Sequence, residues 1–185
     1  MRVFIAIEID EEIRQRLAHA QEALKEIGGV KWVEPNNFHL TLKFLGETDQ
    51  GRVSRLANEL SGLAATTPGF SIGFGGAGVF PDEHRPRVIW VGVEQGLEAL
   101  FDLAQKVEAI CQGLGFEAEN RPFSVHLTLG RAKGVVSAAA LKASLEGLSG
   151  QTFGQQRVGR ISLMESTLTR SGPIYRPLHR LNLCA

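Results

Sequence analysis

Apolar and polar positions along the chain alternate between two periods, one of a strand and one of a helix. RVFIAIEI at 2–9 is rich in β-branched residues and reads as a first strand. Ile13, Leu17, Leu24 and Ile27 then recur at helical spacing, with Asp10 placed to cap that helix, Glu11 and Glu12 in its first turn, and Gly28-Gly29 to stop it. VKWVEPNNFHLTLKFLG follows as two short strands broken at Pro35-Asn36-Asn37. Val53, Leu56, Leu60 and Leu63 predict a helix over 49–65, and 70–80 and 87–93 read as strands. Leu97, Leu100, Ala104, Val107, Cys111 and Leu114 give the clearest amphipathic helix. A strand over 122–131 comes next, then a helix capped by Ser137 and running to Leu148. The tail reads as two closing strands, 157–169 and 173–183, separated by Ser171-Gly172-Pro173.

This order predicts an α+β fold in one domain, residues 1–185, made of two pseudo-symmetric lobes. Each lobe is an antiparallel-rich sheet with helices on its outer face, and the inner faces meet in a cleft. Gly73-Phe74-Gly75-Gly76-Ala77-Gly78 matches a dinucleotide-binding pattern by letter, but Val79-Phe80-Pro81 follows where a helix would have to open. A bulged strand and turn is the better reading.

H-L-T-L occurs twice, as HLTLKFLG at 39–46 and HLTLGR at 126–131. Side chains on a strand alternate between faces. His39, Thr41 and Lys43 therefore share one face, with Leu40, Leu42 and Phe44 on the other. In the second copy His126 and Thr128 oppose Leu127 and Leu129. The leucine faces belong under the helices, and the His/Thr faces look into the cleft. Duplication alone explains the leucines. It does not require a polar pair to persist on the opposite face.

Two imidazoles facing two hydroxyls suit displacement at phosphorus. One histidine can activate the nucleophile while the other protonates the leaving oxygen, because imidazole titrates near neutral pH. Thr41 and Thr128 can donate to the non-bridging oxygens, and Arg131 can add a positive fork. Strict alternation puts Arg131 on the wrong face, so it is expected to reach in from the strand end over Gly130. A cyclic phosphodiester fits such a site, since both ester oxygens belong to one ribose. No metal is expected, because two histidines without a third ligand make a poor zinc site.

Composition narrows the field further. Lys+Arg and Asp+Glu are 20 each, which argues against a long duplex footprint but not against a pocket for one or two phosphates. The N-terminus reads as a strand and not as a signal peptide, and no apolar stretch approaches a membrane span. Cys111 and Cys184 form no disulfide framework or zinc spacing, and Cys111 falls on an apolar helix face as a buried thiol. The expected setting is the cytoplasm. His19, His84 and His179 read as structural. Trp32, Phe38 and Phe123 flank the motifs as lobe core or base-stacking groups. Arg85 and Arg87 read as solvated surface.

The paired HLTLKFLG and HLTLGR resemble the two H-x-[T/S] motifs of the two-histidine (2H) phosphoesterase superfamily. MRVFIAIEI, WVEPNNFHLTLKFLG, RPRVIWVGV and PIYRPL are similar to the RNA 2′,3′-cyclic phosphodiesterases, also called the 2′-5′ RNA ligase family. The resemblance spans essentially the whole chain. It implies hydrolysis of RNA 2′,3′-cyclic phosphate ends to 2′-phosphates without a cofactor. It also implies His39 as proton donor to the departing 3′ oxygen and His126 as the base that activates water. Thr41, Thr128 and Arg131 would hold the phosphate. Partners would be RNA ends or small 2′,3′-cyclic nucleotides, with a monomer and no protein partner implied. Joining of RNA ends through a 2′-5′ bond at the same site, or a nucleotide-binding module without turnover, are the competing readings.

Overall fold

The computed structural model describes residues 1–185. Nine strands and four helices run in the order β1 (Arg2–Glu8), α1 (Glu11–Leu24), β2 (Val30–Trp32), β3 (His39–Glu47), α2 (Gln50–Thr66), β4 (Phe70–Phe80), β5 (Val88–Gln95), α3 (Leu97–Gly113), β6 (Leu127–Ala132), α4 (Ala138–Leu148), β7 (Thr152–Val158), β8 (Arg160–Leu168) and β9 (Pro173–Asn182). Local chemistry explains several boundaries. The Asp49 side chain accepts from the Arg52 N–H and the Ser137 hydroxyl from the Ala140 N–H, capping α2 and α4. Asp10 occupies the N-cap position of α1, but its side chain makes no capping bond. Its backbone N–H donates to Gln156 instead.

The strands form two antiparallel sheets, ordered β3-β1-β8-β9 and β2-β6-β5-β4-β7. One HLTL copy stands in each. The sheets are not built from separate halves of the chain. Pro35–Asn37 form one 3-10 turn that carries the chain from β2 in the second sheet to β3 in the first. Helices cross too: α2 lies against the first sheet, α1 and α4 against the second, and α3 against β3 of the first and β4 of the second. Thirty-eight buried residues drawn from both sheets form one continuous apolar cluster, so neither sheet has a core of its own.

Two expectations are corrected here. The strand expected over 157–169 is two strands in different sheets. Val158 pairs with Phe70 in the second sheet, Arg160 pairs with Asn182 in the first, and Gly159 lies between them. The segment TFGQQRV has a polar middle and a glycine at positive φ, which hides β7 from a period-2 reading. The strand expected over 122–131 begins only at Leu127, leaving 122–126 as an irregular approach. The glycine-rich stretch is a strand, β4, with a register shift around Gly76 at φ +69°, as a bulged strand requires. Cys111 is buried in α3, and burial pushes its thiol up to about 11. No helix is long and apolar enough to cross a membrane.

The end of β1 is held by an ionic knot. The Glu8 carboxylate accepts from Arg180 at 2.8 and 3.0 Å and from the Ser162 hydroxyl, with Arg160 3.7 Å away. The Arg180 hydrogen bond is the chief reason its pKa falls from 4.5 to about 2. A depressed carboxyl stabilises the fold fully above its unfolded pKa, and the contribution is lost as pH falls through the folded value. Glu8→Gln should therefore flatten the decline of stability between pH 4.5 and 2, as read by urea midpoints across that window. An equally steep decline in the variant would remove Glu8 as its source.

Candidate active site

Both motif strands carry a β-bulge at the same residue of the motif. In β3, Thr41 pairs with Ala6 and Lys43 with Ile5, leaving Leu42 as the extra residue. In β6, Thr128 pairs with Trp90 and Gly130 with Ile89, leaving Leu129 extra. A bulge breaks the alternation and re-aims the side chains beyond it. Leu42 and Lys43 thus both face the core, as do Leu129 and Gly130. The residues after them, Phe44 and Arg131, turn to the His/Thr face.

This corrects three expectations. Lys43 does not share the face of His39. It is 7% exposed, and its ammonium donates to the Glu117 carbonyl and meets the Glu108 carboxylate, each at 2.8 Å. Phe44 is not in the core but 65% exposed. Arg131 needs no detour from the strand end, because the bulge at Leu129 delivers it to the face of His126 and Thr128. A fully period-2 reading cannot see this.

The two histidines are held alike. The Nδ1 of His39 lies 2.7 Å from the Asn37 carbonyl, and the Nδ1 of His126 lies 2.9 Å from the Ser124 carbonyl, each two residues upstream. A carbonyl oxygen only accepts, so Nδ1 carries a proton in both rings. In the neutral imidazole Nε2 is then the free base. The aromatic settings also match. Tyr175 meets His39 edge-on at 5.1 Å between ring centroids, and Phe80 meets His126 edge-on at 5.0 Å. Phe4 packs against His39 at 4.9 Å, and a small cluster of Phe4, Ala6 and Met164, separate from the main core, forms the apolar floor there.

Burial lowers the pKa of both histidines, opposed in each case by the carbonyl bonded to Nδ1. The positive charge of Arg131 lowers both further, and His126 adds to the effect on His39. One guanidinium is therefore felt by both rings, although β3 and β6 belong to different sheets. The two strands do meet. Arg131 makes no hydrogen bond through its side chain and no salt bridge, and the hydroxyls of Thr41 and Thr128 are likewise unengaged within the chain. All three sit half-buried or exposed on the cleft face.

The charges of Arg131 and His126 reach His39 and that of Arg131 reaches His126, while Thr41 and Thr128 lie on β3 and β6, the two strands that meet there. The other histidines are left out, since His19, His84 and His179 are exposed on the surface. Phe38 is core, Trp32 and Phe123 are partly buried against it, and Arg85 and Arg87 are exposed. Sequence reading missed Phe44 and the walls made by Phe4, Phe80 and Tyr175. Chemically, the arrangement offers two imidazoles whose Nε2 atoms are left over from the Nδ1 contacts, two hydroxyl donors and a cation felt by both rings. It can bind an oxyanion and move protons on two sides of it.

Known proteins resemble the chain in sequence and in fold. The model of the family described as LigT like Phosphoesterase matches residues 7–90 and 91–175, one HLTL copy in each match. A protein of Archaeoglobus fulgidus named RNA 2′,3′-cyclic phosphodiesterase is 38% identical over 96% of this chain and 98% of its own. A Methanothermobacter thermautotrophicus protein of the same name is 36% identical over 99% of both. Among solved structures, Escherichia coli LigT complexed with 3′-AMP superposes with a TM-score of 0.81 at 30% identity, covering 100% of this chain and 98% of that one. A Thermus thermophilus protein gives 0.85 at 30% identity, covering 99% and 98%. With one copy of the family's unit in each half and full-length relatives above 35% identity, the chain belongs to the LigT like phosphoesterase family.

Proposed function

We propose that the protein hydrolyses 2′,3′-cyclic phosphate ends of RNA to 2′-phosphates, using its two motif histidines as an acid–base pair. The observation that carries this reading is the matched pair itself. Each ring is fixed through Nδ1 by a carbonyl two residues back, and both feel the same arginine. The names of the full-length relatives support the substrate class.

In this reading Arg131, Thr41 and Thr128 hold the non-bridging oxygens, where charge grows in the transition state. His126 takes a proton from water through Nε2 as the oxygen attacks phosphorus. The bond from phosphorus to the 3′ oxygen breaks, and His39, entering the step as the imidazolium, gives that oxygen its Nε2 proton, leaving the phosphate on the 2′ oxygen. The direction of transfer follows the family resemblance. It is supported by access: the Nδ1 contact of His126 lies at the exposed surface, whereas that of His39 is partly buried beside Phe4 and Tyr175. Residues 1–185 act as one domain in this account, a cytoplasmic monomer without cofactor or resident metal.

The reading is tested with a short RNA ending in a 2′,3′-cyclic phosphate, incubated in EDTA and resolved against 2′- and 3′-phosphate standards. A 2′-phosphate product is expected. A 3′-phosphate, a joined product only, or no turnover by folded protein would sink it.

Phe44 gives a second, smaller expectation. It stands on the His39 face and is open to solvent, in reach of a base attached to the reacting ribose. Base stacking on an aromatic ring contributes about 1–3 kcal/mol. Phe44→Ala should raise KM for a cyclic nucleotide roughly tenfold, and Phe44→Trp should retain it. Equal kinetics for all three proteins would show that the base is held elsewhere.

A further inference from the structure

Lys31 is the direct cross-strand partner of Arg131 in the pairing of β2 with β6. The two side chains therefore stand side by side on the cleft face. Like charges opposite each other in a ladder are destabilising unless something offsets them. Nothing in the chain does. Neither residue makes a salt bridge, although nine such bridges elsewhere engage other cations of the chain. The Lys31 ammonium reaches across to the other sheet, lying 3.9 Å from where a Cβ on Gly172 would sit, in the turn between β8 and β9. It is thus at the cleft rim, one strand farther out than Arg131, on the outermost strand of its sheet.

A cyclic phosphate is a monoanion, and Arg131 with two threonine hydroxyls already answers its single charge. A second unpaired cation beside Arg131 calls for a second phosphate. We propose that Lys31 binds the phosphodiester on the 5′ side of the reacting nucleoside, so that the site selects the end of an RNA strand over a free cyclic mononucleotide. The inference rests on the cyclic-phosphate reading of the site. It adds the residue that would read the upstream phosphate of that RNA end, with the strand leaving the cleft between β2 and the β8–β9 turn.

The test compares kcat/KM for two small substrates. One is adenosine 2′,3′-cyclic phosphate with a free 5′-hydroxyl. The other carries a 5′-methylphosphate, which mimics the upstream diester without a second base. Wild type should favour the methylphosphate by about tenfold at low salt, the scale of one charge-assisted contact, and the preference should shrink as salt is raised. Lys31→Gln should bring the ratio close to one, and Lys31→Arg should restore it. Because each ratio is taken within one protein, a folding defect lowers both rates and leaves it unchanged. A wild-type ratio near one, or a ratio unaltered in Lys31→Gln, overturns the second subsite while leaving the hydrolytic reading intact. Failure to hydrolyse either substrate overturns both.

Discussion

His39→Ala and His126→Ala should each lower turnover of a 2′,3′-cyclic phosphate by about 10²–10⁴-fold, the range for loss of a positioned general acid or base. The double variant should be little worse than either single one. The two rings serve one displacement, and residues that act as a unit lose their effect together. Stability should change little in either variant. Both rings look into the cleft, outside the large apolar cluster, and each gives up one hydrogen bond to a carbonyl. Thermal melting beside single-turnover rates separates the outcomes. Loss of activity with an unchanged midpoint supports the chemistry. Loss of activity that tracks a falling midpoint would make the histidines structural. A double variant worse by the product of the two single effects would show that they act in separate steps.

Arg131→Ala should cost about 10²–10³-fold in kcat, the scale for removing one preorganised donor to developing charge. Arg131→Lys should recover only part, since an ammonium cannot reproduce the planar fork. The same substitution has a second signature that needs no turnover. The charge of Arg131 holds the pKa of both histidines down. Removing it should move both imidazole titrations toward higher pH, as followed by NMR of the ring protons in the free protein. Burial, the larger cause, remains, so neither pKa should pass above the ordinary value of 6.5. In wild type both values lie below that number, so the rising and falling limbs of kcat/KM should lie on the acid side of it. A shift confined to one histidine would place the guanidinium beside one ring only. No shift would take it out of the cleft.

Much of the candidate site was legible in the letters because the same polar pair stands in both copies of a repeated motif. Alternation holds from His39 to Thr41 and from Leu127 to Leu129, so those faces follow from period alone, while His126 stands just before β6 with its ring held through the Ser124 carbonyl. The bulge that comes next does not. Its effect depends on pairing with β1 and β5, partners that lie far away in sequence. That is why Lys43 and Phe44 were assigned to the wrong faces and Arg131 was given a reach over Gly130 that it does not need. The same limit hid β7. Its pattern is set by a buried Gln156 that binds the Glu8 carbonyl and the Asp10 amide, a contact between distant segments that no local window contains. The helices were easier, since their apolar stripes and the caps at Asp49 and Ser137 are local.

The division of labour between the histidines is the central claim, and a substrate with sulfur in place of the bridging 3′ oxygen tests it most directly. A thiolate leaves without being protonated, so a general acid is dispensable for that substrate and a general base is not. The account predicts that His39→Ala regains most of the wild-type rate on the 3′-thio cyclic phosphate, while His126→Ala stays inactive. Recovery of His126→Ala with His39→Ala inactive would reverse the assignment, and recovery of neither would contradict acid–base catalysis by the pair.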